Sequence, residues 1–164
     1  MKQRILSILV DNTAGVLSRV SGLFSRRGYN IDSLTVGVTA DPRYSRMTVV
    51  CSGDDQVLEQ ITKQLNKLVD VRDIKVLEPD SSVSRELILV KVRVSKENRQ
   101  NVTAITDIFR ANVIDVGLDS MVIELTGSKS KLEAFLNLMG DGNEILEIAR
   151  TGITGLSRGS DYVL

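Results

Sequence analysis

Residues 4–36 read RILSILVDNTAGVLSRVSGLFSRRGYNIDSLTV, an apolar strand that passes through Asp11-Asn12-Thr13-Ala14-Gly15 straight into an amphipathic helix. Val16, Leu17, Val20, Leu23 and Phe24 fall at i, i+1, i+4, i+7 and i+8, one face of a helix, and Gly28 ends it as a C-terminal cap. Two readings of the junction stay open. Asp11, Asn12 and Thr13 supply an N-cap and a turn. Alternatively, the first N–H groups of the helix, which have no intrahelical partner, receive a small anion, and Gly15 lets it approach because it carries no Cβ.

Working outward, Tyr29 to Thr39 is β-branched and alternating, Ala40-Asp41-Pro42-Arg43 supplies a turn, and Arg46 to Ser52 returns as the second arm of a hairpin. Val57, Leu58, Ile61, Leu65, Leu68 and Val69 mark a second helix, and Asp73 to Glu78 a closing strand. After the polar run Glu78-Pro79-Asp80-Ser81-Ser82 the same order resumes. Glu86 to Val94 is a strand, and Val102, Ile105, Ile108 and Phe109 mark a helix. Val113 to Leu118 and Met121 to Thr126 form a hairpin, Leu132, Phe135, Leu136 and Met139 mark a helix, and Ile145 to Arg150 is a last strand. The expected fold is α+β, two tandem ferredoxin-like βαββαβ units over residues 1–78 and 85–164 joined by a linker at 79–84.

A unit of this size buries only about 60% of its unfolded surface, so the helix-free face of each sheet needs a cover. Ile5 and Leu9 are apolar on the face opposite Leu6, Ile8 and Val10, which fits such a cover. The sister half or a second chain would supply it, and a homodimer is expected.

Composition narrows the function classes. Lys plus Arg equals Asp plus Glu at 21 each, so no net field draws the 164-residue chain to nucleic acid or an anionic membrane. Aromatic residues make up 4%, and Arg46-Met47-Thr48-Val49-Val50-Cys51 offers no ring to stack a base, against an RNA-binding βαββαβ module. No histidine is present, which removes the commonest general base and metal ligand. Asp54-Asp55 reads as negative charge at a helix start. An acyl-phosphate hydrolase would need an anion cradle with Arg and Asn, for which Arg19 and Asn12 are the available pair, but no further motif supports it. The lone Cys51 fits core packing and a reducing, cytoplasmic compartment. The run Ile5 to Val10 is too short for a signal-peptide core, and no stretch approaches a membrane span.

Asp11-Asn12-Thr13-Ala14-Gly15-Val16-Leu17 resembles the loop of the ACT domain, a ligand-sensing module, with Ala14 in place of the usual proline. Over nearly its whole length, through DPRYSRMTVV at 41–50, QLNKLVDV at 64–71 and EIARTGITGLSRG at 147–159, the chain is similar to the regulatory small subunits of acetohydroxyacid (acetolactate) synthase. The resemblance implies a chain that is not itself an enzyme. It would bind and activate a separate catalytic large subunit of branched-chain amino acid biosynthesis and confer feedback inhibition by L-valine. Thiamine diphosphate, magnesium and FAD would belong to that partner, with no cofactor or metal on this chain. The effector would sit between two ACT units of a homodimer, walled by Asn12, Thr13, Ala14, Gly15, Val16 and Leu17 on one side and by Asn30 and Ile31 on the other.

Residue chemistry agrees with an amino-acid ligand. Backbone N–H groups near Gly15 to Leu17 would hold a carboxylate, the oxygens of Asn12 and Asn30 would accept from an ammonium, and Val16, Leu17 and Ile31 would enclose an aliphatic group. Val16 and Leu17 can equally be core, and core is the expectation for Leu17. The rival is a free-standing amino-acid-sensing ACT protein with another regulatory output. Arg26-Arg27, Arg43 to Arg46 and Gly152 to Gly159 are candidate docking surfaces for the catalytic partner. The second strand-to-helix junction, Val94 to Val102, has no glycine and is expected to carry no effector site.

Overall fold

The computed structural model describes residues 2–162. They fall into two units, residues 2–84 with 153–162, and residues 85–152. Met1, Val163 and Leu164, the outermost residues of the expected domain bounds, lie outside the described residues.

The first unit runs β1 (Lys2–Asp11), α1 (Val16–Arg26), β2 (Ile31–Val38), β3 (Tyr44–Gly53), α2 (Asp55–Leu65) and β4 (Val71–Leu77). Its sheet is antiparallel in the order β2-β3-β1-β4. Leu6 opposite Val49 and Ile8 opposite Met47 turn to the helices, where they join Val16, Val20, Leu23, Phe24, Leu58, Ile61 and Leu65 in one core. Helix α1 ends as its sequence dictates: Gly28 takes φ 69°, the Gly28 amide donates to the Ser25 carbonyl and the Tyr29 amide to that of Phe24. Helix α2 is capped by Asp54, whose carboxylate accepts from the Val57 amide at 2.8 Å. It stops at Leu65, short of the expected Leu68 and Val69. The chain turns there, Leu68 still packs on the core, and Val69 is left 87% exposed.

Cys51 lies in this core, and burial pushes its thiol up to about 11. At pH 8 about one thiol in a thousand is then the reactive thiolate. The native chain is expected to resist a disulfide-exchange reagent and to titrate one thiol per chain in denaturant. Rapid native labelling would mean that this core opens readily.

The helix-free face of the first sheet is buried at Ser7, Leu9, Thr48 and Val50. Part of its cover comes from the end of the chain itself, contrary to the expected bounds of 85–164 for the second domain. The Ile153 amide donates to Ser33 Oγ at 2.8 Å, Thr35 Oγ1 donates to the Ile153 carbonyl, and a short strand β9 (Thr154–Ser157) follows. Gly155 permits this approach, since a Cβ there would stand 2.9 Å from both the Val83 carbonyl and Leu77 Cδ1. The expected linker is a 3-10 turn at Pro79–Ser81, followed by the first residues of the next strand.

The second unit repeats the order with β5 (Ser82–Arg93, whose first three residues belong to the first unit), α3 (Arg99–Ile108), β6 (Asn112–Val116), β7 (Ser120–Gly127), α4 (Lys129–Gly140) and β8 (Ile145–Arg150). The sheet order is β6-β7-β5-β8, again antiparallel. Its core gathers Ile88, Val90, Val92, Ile123, Leu125, Leu132, Phe135 and Met139. On α3 the buried stripe is Val102, Ile105 and Thr106 with Phe109 beside it, and Ile108 is 72% exposed. A helix periodicity of 3.6 puts position 106 on that face, and Thr106 occupies it by donating its hydroxyl to the Val102 carbonyl at 2.8 Å. Among the described residues no helix is long and apolar enough to cross a membrane.

Candidate functional site

The loop between β1 and α1 is built without a side-chain cap. Gly15 is the N-cap residue at φ 85°, and no side chain bonds to the first amides of α1. The expected capping role of Asp11, Asn12 and Thr13 is therefore not what the structure shows. Asp11 turns its carboxylate to Arg72 in a two-point contact of 2.7 and 3.0 Å, while its amide donates to the Asp70 carbonyl. Asn12 ties the loop to the β2–β3 turn, its amide donating to the Arg43 carbonyl and its Nδ2 to that of Pro42 at 3.0 Å. The loop is thus held at both flanks, and the helix end between them stays open.

Two ion pairs border this opening, Arg19 with Asp70 and Arg72 with Asp11. Arg19, one turn into α1, pairs with Asp70 at 2.5 Å and holds that carboxyl below the usual carboxylate range through their hydrogen bond. Its guanidinium lies against the loop, since a Cβ on Gly15 would meet Arg19 Nη1 at 2.9 Å. Open N–H groups with a guanidinium beside them form an anion-binding concavity. Sequence reasoning names Arg19 with Asn12 as the pair for an anion cradle but not Asp70 and Arg72, because they lie more than fifty residues from Arg19 and Asp11 and only the β1–β4 pairing brings them to this loop.

The predicted residues divide on inspection. Asn12, Thr13, Ala14 and Gly15 are exposed on the loop. Val16 is core, so its backbone, not its side chain, faces the opening. Leu17, expected in the core, is 46% exposed instead, because it stands about 100° round the helix from Val16. It is the aliphatic group that α1 offers at this end.

Asn30 and Ile31 lie elsewhere. Asn30 donates Nδ2 to Asp32 Oδ1 at 2.6 Å, and Ile31 packs partly against the core. In register, Ile31 is opposite Cys51 and Cys51 opposite Arg4, seven residues before Asp11 on β1. At roughly 3.3 Å per residue the two groups of candidates stand about 23 Å apart, at opposite ends of one sheet. No site within a single chain contains both.

Of the basic candidates for docking, Arg43 clamps Asp41 and brings that carboxyl down to about 2. Arg46 donates to Ser7 Oγ at 2.5 Å on the helix-free face and is partly buried, which removes it from a purely surface role. The Gly152 to Gly159 stretch covers that same face through β9. A concavity of about 740 Å³ beside it, lined by Val36, Val38, Arg46, Leu156 and Tyr162 among others, contains none of the predicted effector residues.

At the second junction α3 also starts without a side-chain cap, but its loop is built differently. Asn98 accepts from the Ser95 amide through Oδ1 at 2.6 Å and donates through Nδ2 to the Arg93 carbonyl and to Asn143, while Asn143 donates on to Asn101. This amide network borders a concavity of about 190 Å³ at the start of α3, lined also by Asp119 and Glu144, whose carboxylates disfavour an anion.

Two family models match the chain. One, described as the AHAS small subunit-like ACT domain, covers residues 6–73, and the other, described as the small subunit of acetolactate synthase, covers residues 85–159. The chain belongs to the acetolactate synthase small-subunit family. It is 52% identical over 157 residues to the acetolactate synthase isozyme 3 small subunit of Escherichia coli, spanning 96% of each chain. It is 50% identical over 157 residues to a probable acetolactate synthase small subunit of Methanothermobacter thermautotrophicus, spanning 95% of this chain and 93% of that one. The crystal structure of the acetolactate synthase small subunit from Thermotoga maritima superposes with a TM-score of 0.88 at 42% identity, over 98% of this chain and all of that one. The α+β tandem of ferredoxin-like units is therefore the fold of the family.

Proposed function

We propose that this chain is the regulatory subunit of an acetolactate synthase, which binds and activates the catalytic subunit and makes it inhibitable by L-valine. The observation that carries this reading is the uncapped N-terminus of α1 at Gly15, rimmed by Arg19, in a chain of this family. The valine carboxylate takes the amides of residues 16–18. Its ammonium is received by the Oδ1 atoms of Asn12 and of the partner subunit's Asn30, and its isopropyl group rests on Leu17 and the partner's Ile31. Catalysis and the thiamine diphosphate, magnesium and FAD that serve it reside on the large subunit, in the cytoplasm.

The geometry supports a homodimer for a specific reason. Asn12 and Asn30 are at opposite ends of the sheet, so an antiparallel meeting of two β2 edges brings each Asn30 to the other chain's Asn12 end. A two-fold axis there makes two equivalent sites.

Mixing the purified chain with the catalytic subunit from the same genome tests the reading. Acetolactate formation is expected to rise several-fold on addition of the chain and to fall again with millimolar valine, while the chain alone forms none. An unchanged rate with the genomic partner refutes the regulatory role, and activation without any valine response refutes the effector.

A further inference from the structure

Asp32 is the extra residue of a bulge at the start of β2. Ile31 faces Cys51 and Ser33 faces Val50, so two steps along β2 meet one step along β3. A bulge of this kind re-aims a side chain. The Asp32 carboxylate gathers donors from three segments: Gln3 Nε2 on β1 at 3.2 Å, Ser52 Oγ on β3, and Nδ2 of Asn30, the residue before β2, at 2.6 Å. Gln3 and Ser52 face each other in register, so Asp32 is held by the body of the sheet as well as by its own loop.

An asparagine amide has a donor end and an acceptor end of nearly the same shape, and its neighbours decide which end faces where. An ionised carboxylate only accepts, so Asp32 draws the Asn30 NH2 group to itself and turns Oδ1 away. Asn12 is fixed in the same sense, because its Nδ2 donates to the Pro42 carbonyl, which also only accepts. On the reading that places Asn30 of one chain at the effector bound by the partner's Asn12 loop, we propose that Asp32 is a positioning residue that makes the site select an α-ammonium group. It holds the Asn30 amide with its oxygen toward the ligand, and a site built to receive N–H donors penalises a ligand that has none. Without the carboxylate the Asn30 amide can turn, and its NH2 group then meets the ammonium donor to donor.

Isovalerate carries the carboxylate and isopropyl group of valine with hydrogen in place of the ammonium. Titration of the full-length chain, followed by ligand-observed NMR so that millimolar affinities are reached, is expected to show valine preferred over isovalerate by at least about 100-fold. Asp32→Asn has the same size but can offer Asn30 either end of an amide. It is expected to weaken valine binding about tenfold and isovalerate binding less than about twofold, with the circular dichroism spectrum unchanged because Asp32 is exposed. Asp32→Glu keeps a group that only accepts and is expected to retain more of the preference than Asp32→Asn. An unchanged preference in Asp32→Asn, an equal loss of both ligands, or a larger loss of preference in Asp32→Glu overturns the proposal and leaves the effector reading standing. Absence of valine binding in the wild type overturns both.

Discussion

Replacing Gly15 with Asp is expected to leave the chain folded and to weaken valine binding at least 100-fold. Gly15 holds φ 85°, a region that aspartate enters more easily than most L residues, at a cost of roughly 1–2 kcal/mol. The new Cβ would meet Arg19 Nη1 at 2.9 Å, the far end of a flexible side chain that can swing aside. The introduced carboxylate then lies at the uncapped start of α1, where it takes the amides and the guanidinium that the effector's own carboxylate needs. A 100-fold loss corresponds to about 2.8 kcal/mol. Gly15→Ala imposes the same backbone strain without the charge and is expected to keep most of the response, so the two variants separate electrostatics from geometry. Asn12→Ala is expected to be intermediate, because a hydrogen bond to a charged group contributes about 1.5–3 kcal/mol. Calorimetric titration of each variant with valine checks all three, and wild-type affinity in Gly15→Asp removes this loop from the site.

How far the sequence carried the reading depended on the range of the interaction. Strand and helix identity follows from local periodicity, and Leu6, Ile8 and Val10 or Val16, Val20 and Leu23 lie where their spacing puts them. Periodicity failed where a polar residue held a core position: Thr106 is buried through its bond to the Val102 carbonyl, and the apolar Ile108 was mistaken for its neighbour on that face. It failed at Leu17 because one residue is 100° of helix, enough to leave the buried stripe. The β1–α1 loop is legible in Asp11 to Gly15, but the partners that hold it are not. Asp11 is bound to Arg72 and Arg19 to Asp70, pairs more than fifty residues apart in sequence that exist only after β4 docks beside β1. The return of residues 153–157 to the first sheet left no local mark beyond Gly155, whose missing side chain lets that segment lie against Leu77 and Val83.

Truncating Phe135 to Ala is expected to bring the second unit to the edge of unfolding. Phe135 is fully buried on α4 among Leu132, Met139 and the β5 and β7 side chains, and its ring meets Phe109 edge to face at 5.4 Å and 77°. Removing a buried phenylalanine costs about 3–5 kcal/mol through lost transfer energy and the cavity left behind, and the ring pair adds about 0.5–1.5 kcal/mol. Residues 85–152 form a unit of 68 residues, for which a stability of 0.05–0.15 kcal/mol per residue amounts to about 3–10 kcal/mol. The loss is comparable to the whole. Met139 on the next turn cannot fill the space, because it is itself fully packed. Amide hydrogen exchange in β5 and β7 is therefore expected to speed up by two orders of magnitude or more in Phe135→Ala. Ile108→Ala, which deletes an exposed side chain of similar apolar character, is expected to change it by less than a factor of three. Equal effects of the two substitutions would mean that the α3–α4 core is not what holds the second sheet together.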